Sequence, residues 1–261
     1  MSGRDERRLR AYDVAPMMNN PSIAVGEPGA TNELADNPAQ PSTELGALFP
    51  ASVVAVELTG TAPRTVLTAS ELAFISHCAQ KRIDDFTRGR ACAHRCMTEL
   101  GLENVSLLAG EKREPLWPPG VIGSITHTTG FAAAVAARRN EIEALGIDCE
   151  VVDSVGADLW ERICTPGERG RLEQLPEAQA RQQAALIFAA KEAFYKCQFP
   201  KSYEWVGFED VSIEASAGCF KIVPQVHLPV TADWVATLTG RYQFRGPWVV
   251  TGVTGLISAR L

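Results

Sequence analysis

At 261 residues, 46% of them apolar, the chain suffices for one large domain or two smaller lobes with ordinary buried cores. Its net charge of −6 excludes a generic nucleic-acid binder, which needs a basic footprint, and no apolar run is long enough to span a bilayer. The seven cysteines are odd in number and form no C-x-x-C pair, and the start of the chain has no apolar secretory stretch. A reduced, cytoplasmic, monomeric protein is expected.

Residues 1–48 are rich in Pro, Gly and Asn with little periodicity, and are expected to form a flexible leader. Ser52 to Leu58 is predicted as a strand. A helix follows, capped by Thr68 or Ser70, with Glu71 in its first turn, a break near Arg82 to Asp84, and Gly101 after its end. Beyond a proline-punctuated stretch, Val121 to His127, Phe131 to Ala137 and Glu141 to Val152 are predicted to form a three-stranded meander. Short helices are predicted over 158–175 and a longer one from Pro176 to about Cys197. Strands are predicted at Val211–Glu214, Phe220–Val223, Trp234–Leu238 and Trp248–Ile257. Phe86-x-x-Gly-Arg90-Ala91 is echoed by Phe188-x-x-Lys-Glu192-Ala193, which points to two similar lobes, 49–143 and 144–261.

Four groups of residues carry chemistry. On a strand, Asp148 and Glu150 point to one face about 7 Å apart, with Cys149 turned to the core. Such a pair is often just the wet face of an edge strand, but it also suits Mg²⁺ or Mn²⁺. On a helix, Glu192 and Lys196 share a face, either as a surface ion pair or as a third metal ligand beside a phosphate clamp. Ser124 and Thr126 alternate onto one face before His127 enters a turn, a grouping of hydroxyls and imidazole that suits a phosphate. Lys81, Arg82, Arg88, Arg90, Lys112 and Arg113 supply basic groups from two nearby segments, and arginine matches a phosphomonoester in bidentate fashion.

Taken in order, these pieces resemble the 4′-phosphopantetheinyl transferases that activate enterobactin and surfactin synthetases. The matching residues are Lys81-Arg82 to Phe86-Thr87-Arg88-Gly89-Arg90, Arg113-Glu114-Pro115-Leu116-Trp117-Pro118, Gly123 to His127, Gly146 to Glu150, Lys191-Glu192-Ala193 with Tyr195-Lys196, and Trp205-x-x-Phe208-x-Asp210-Val211. The Trp-Pro and Phe-x-x-Gly-Arg features lie nearer the enterobactin branch. The resemblance implies an α/β (α+β) fold of pseudo-twofold symmetry, each lobe with a small antiparallel sheet and a packed long helix. It implies transfer of phosphopantetheine from coenzyme A to a serine of an apo carrier protein of nonribosomal peptide or polyketide synthases, releasing 3′,5′-ADP.

By the same resemblance, Asp148, Glu150 and Glu192 would bind Mg²⁺, while Arg82, Arg90, Arg113, Ser124 and His127 would hold the nucleotide and its phosphates, with Lys112 in the same basic set. Lys196 would neutralise the α-phosphate, and Glu192 is the candidate base for the carrier's serine. Two alternatives share these residues: a Mg²⁺-dependent hydrolase that cleaves CoA with water, and a non-catalytic module binding CoA or carrier proteins.

Overall fold

The computed structural model describes residues 38–257. The expected leader lies outside the described residues as far as residue 37, but its last stretch belongs to the fold. Strand β1 (Gln40–Pro41) and helix α1 (Thr43–Gly46) fall there, with Ser42 Oγ accepting the Leu45 N–H at 3.1 Å. Leu45 and Leu48 are buried, so this segment is fixed by apolar contact.

The first sheet is antiparallel in the order β1-β2-β4-β3, with β2 at Val54–Thr59, β3 at Val121–Thr128 and β4 at Phe131–Arg138. The alanine run of β4 is buried on both faces, which explains a strand made of small side chains. Ala132, Ala134 and Ala136 pack with Cys92, Cys96 and Met97, and Ala133, Val135 and Ala137 pack with Leu145, Ile147 and Cys149. The predicted helix over 68–101 is two helices, α2 (Ala69–Ile75) and α3 (Gln80–Glu99), and the break falls before Arg82. Cys92 and Cys96 are core thiols of α3, whose sulfurs reach the carbonyls of Ala132 and Ala134.

The second sheet runs β5-β9-β8-β7-β6, with β5 at Ile142–Val151, β6 at Val211–Ser216, β7 at Cys219–Pro224, β8 at Thr239–Arg245 and β9 at Trp248–Leu256. Short helices α4 (Trp160–Ile163) and α5 (Pro166–Leu172) precede the long α6 (Glu177–Ser202).

Two expectations are corrected. The meander does not form, because β5 leaves β4 and pairs with β9, Gly146 opposite Val253 and Asp148 opposite Thr251. The apolar partners Val249, Val250 and Val253 are 0% exposed, and their burial outweighs the local hairpin. The strand expected at Trp234–Leu238 is instead helix α7 (Ala232–Thr237), because Thr231 Oγ1 caps the Trp234 N–H at 3.2 Å; the strand begins after it, at Thr239.

The halves share an internal design. In each, the first long strand pairs with the last (β2 with β4, β5 with β9), and a short helix with a capping box precedes the long helix. Thr68 caps α2 with Glu71, and Thr165 caps α5 with Glu168. Both glutamates are 0% exposed and accept a distant backbone N–H, from Leu107 and Ile213 respectively.

Side chains close the seam between the sheets. Ser124 Oγ accepts the Ile147 N–H and Thr126 Oγ1 accepts the Cys149 N–H, each at 3.1 Å, so hydroxyls of β3 replace a backbone ladder along β5. Arg245 forks onto both carboxylate oxygens of Glu57, at 2.5 and 3.0 Å, and fastens the same seam from the other side.

Candidate active site

Strand alternation puts Asp148 and Glu150 on one face of β5, while Cys149 packs in the core. Helix α6 crosses this strand closely because residue 146 is glycine: a Cβ there would lie 2.0 Å from the Ala193 carbonyl oxygen. That approach sets Glu192 and Lys196, one helical turn apart, against the acidic face. Lys196 Nζ donates to Asp148 Oδ1 at 2.6 Å, and Thr126 Oγ1 stands 3.0 Å from the same oxygen.

The three carboxylates feel one another. Burial drives Glu150 well above the carboxylate range, and the charges of Asp148 and Glu192 raise it further against the pull of Lys196. Burial, then Asp148, pushes Glu192 up to about 8, again opposed by Lys196. Burial alone would lower Lys196, but Asp148 and Glu192 outweigh it and hold the ammonium above its ordinary value. One cation among three acids does not suffice to keep all three ionised at once.

The acids fit a divalent ion by donor chemistry. Asp148 Oδ2 and Glu192 Oε2 are buried with no hydrogen-bond partner, and carboxylate oxygens are the ligands Mg²⁺ takes alongside water and substrate phosphates. Among the described residues no three His, Cys, Asp or Glu side chains are gathered at the spacing of a finished metal site.

Across the seam lies a basic wall. His127 is pushed down to about 4, first by burial; Asp85 pulls it up, and Lys196, Arg88 and Arg82 push it down. His127 thus feels the charge of three cationic side chains as well as of Asp85. Arg88 Nη2 holds Asp85 Oδ1 at 2.7 Å and the Thr128 carbonyl at 3.2 Å, and Lys81 holds the other Asp85 oxygen at 3.0 Å. Asp85 organises this wall, and nothing in its sequence neighbourhood marked it out. Lys112 reaches the Tyr203 carbonyl at 3.3 Å, at the end of α6, and exposed Arg113 has a positive φ of 68°, a strained state for a side chain with a Cβ.

The structure gives two expected phosphate ligands other work. Ser124 is 3% exposed and spends its oxygen on the Ile147 N–H. Arg90 is inside its lobe, with Nε on the Leu107 carbonyl at 2.6 Å, its guanidinium over the Phe86 ring and Glu71 4.0 Å away. Lys191, next to Glu192 in the motif, turns away from the acids. Its Nζ is bound by Glu168 at 2.6 Å and by the carbonyls of Ile163 and Phe208. Thr126, by contrast, touches Asp148 directly; its alternation with Ser124 is legible in the sequence, its contact is not.

Two antiparallel sheets, a capped short helix before each long helix, and acids facing a basic wall together define a class of protein. The 4′-phosphopantetheinyl transferase N-terminal domain matches residues 70–137, and the 4′-phosphopantetheinyl transferase superfamily matches residues 144–244. The chain belongs to the 4′-phosphopantetheinyl transferases and is an enzyme of that family. It is 30% identical over 222 residues to 4′-phosphopantetheinyl transferase PptT of Mycobacterium tuberculosis, covering 81% of this chain and 97% of that one. It is 36% identical over 124 residues to enterobactin synthase component D of Escherichia coli K12, covering 47% and 57%. A solved holo-(acyl-carrier-protein) synthase of Bacillus anthracis in complex with CoA (3′,5′-ADP) aligns with a TM-score of 0.36 at 23% identity, over 45% of this chain and 99% of that one.

Proposed function

We propose that the enzyme moves 4′-phosphopantetheine from coenzyme A to a serine hydroxyl of an apo carrier protein and releases 3′,5′-ADP. The observation that carries this reading is the meeting of buried Asp148 and Glu192 and half-buried Glu150 with Lys196 and the basic wall near His127. The acids and Lys196 come from beyond residue 144 and His127, Arg82 and Arg88 from before it, which supports a division into two lobes near 143/144. Service in siderophore or other nonribosomal peptide assembly is favoured by the likeness to enterobactin synthase component D. Use of coenzyme A is consistent with a cytoplasmic site of action.

Asp148, Glu150 and Glu192 would hold Mg²⁺, which when bound spreads the charge that builds on the pyrophosphate. His127, Arg82 and Arg113, with Lys112 at the rim, would grip the nucleotide phosphates. Lys196 offsets negative charge on the phosphate oxygens as the anhydride P–O bond breaks. The serine oxygen forms the new P–O bond and its proton passes to Glu192, the carboxylate one helical turn from Lys196.

The test is the intact mass of an apo peptidyl carrier protein after incubation with enzyme, CoA and Mg²⁺. The expected result is a gain of one phosphopantetheine arm, lost with EDTA and with Asp148→Ala. Free phosphopantetheine with an unmodified carrier would establish hydrolysis instead. CoA binding with neither product would establish a binding module.

A further inference from the structure

Thr126 is 2% exposed on β3, where its hydroxyl meets two groups of β5. The Cys149 N–H points at its oxygen from 3.1 Å, which commits a lone pair. The hydroxyl's single proton is then left for Asp148 Oδ1, 3.0 Å away. Lys196 Nζ donates to the same Oδ1 at 2.6 Å. One oxygen of Asp148 therefore takes two protein donors, while Oδ2 is buried with none.

This asymmetry has a physical consequence. A carboxylate held only by Lys196 can rotate about its last torsion, because a flexible ammonium follows either oxygen. A hydroxyl fixed by a backbone amide cannot follow. We propose that Thr126 is a positioning residue that locks the Asp148 carboxylate, committing Oδ1 to the protein and keeping Oδ2 as the free ligand oxygen. Because Thr126 belongs to one sheet and Asp148 to the other, the same bond makes the orientation of that oxygen depend on the closure of the seam. Ser124 closes the seam one step away on the Ile147 amide. This inference rests on the reading of Asp148 as a metal ligand.

The experiment is Mn²⁺ binding followed by electron paramagnetic resonance on full-length protein with saturating CoA, alongside thermal melting. Thr126→Val keeps the shape and removes the hydroxyl. It is expected to weaken Mn²⁺ binding about 10- to 100-fold, the range for loss of a group that orients a metal ligand, and Thr126→Ser is expected to restore it to within about threefold. Should Thr126→Val fail to fold, Thr126→Ala carries the same comparison. Ser124→Ala is expected to lower the melting temperature as a seam bond does, without the loss of Mn²⁺ affinity.

Thr126→Val binding Mn²⁺ like the wild type, while Asp148→Ala does not, would overturn the positioning role and leave Thr126 as a seam bond. Thr126→Ser binding as weakly as Thr126→Val would do so too, by removing the hydroxyl as the active group. Unaltered binding by Asp148→Ala, or no binding by the wild type, would instead remove the metal reading, and this inference with it.

Discussion

Lys196 and Asp148 stand 48 residues apart in the chain, and Nζ of one lies 2.6 Å from Oδ1 of the other. On the same helix, Lys191 makes an equally short bond to Glu168. The first lysine sits among three acids, two of which accept protons well above their usual range. The second sits in a cage of one carboxylate and two carbonyls, with side chains 1% and 0% exposed. We assign the first lysine to chemistry and the second to stability, and the two separate by measurement.

Lys196→Gln is expected to lower kcat about 100- to 1,000-fold, the usual loss when one charge-stabilising donor is removed. Steady-state turnover with CoA and an apo carrier protein measures it. Turnover within about threefold of the wild type would end the role given to Lys196.

Lys191→Met leaves Glu168 buried without its cation, and is expected to cost about 3–5 kcal/mol of stability. The urea midpoint reads this directly. The double variant Lys191→Met with Glu168→Gln is expected to regain part of the loss, because no uncompensated charge remains.

Gly146→Ala forces a methyl group to 2.0 Å from the Ala193 carbonyl, a backbone atom that no side-chain rotation can clear. The expected cost is about 3 kcal/mol, the upper part of the usual overpacking range. Because α6 must shift away from β5, turnover is expected to fall along with the urea midpoint. A destabilised variant with full kcat would show that the helix–strand spacing does not set the site.

His127 gives a pH dependence whose sign is fixed. Its folded value is about 4 against an ordinary 6.5, so between those values the unfolded chain binds a proton that the folded chain refuses. Stability is therefore fully present above the unfolded value and falls as pH drops through this window. Melting temperatures taken from about pH 7 to about pH 5 are expected to drop less in His127→Gln than in the wild type. Equal slopes would mean that His127 is not the group excluded from protonation.

Much of the site is local and was legible from one sequence. Asp148 and Glu150 share a face, with Cys149 in the core, because a strand alternates at every residue whatever surrounds it. Glu192 and Lys196 share a face because a helix repeats every 3.6 residues. Thr68 with Glu71 could be read as a helix start because the capping box needs only four neighbouring residues.

What the tertiary structure decided is which partner each of these groups meets. Nothing local distinguishes Arg82, whose charge acts on His127, from Arg90 buried over Phe86, since both are arginines on one helix. Ser124 and Thr126 alternate alike, yet one hydroxyl faces only an amide and the other also reaches Asp148. The pairing of β5 with β9, not β4, likewise follows from burying valines more than a hundred residues downstream. Backbone sterics set the periodicity of each element within a few residues, and so the sequence determined which side chains travel together. Long-range burial set which elements meet, and only the folded chain could decide where those side chains arrive.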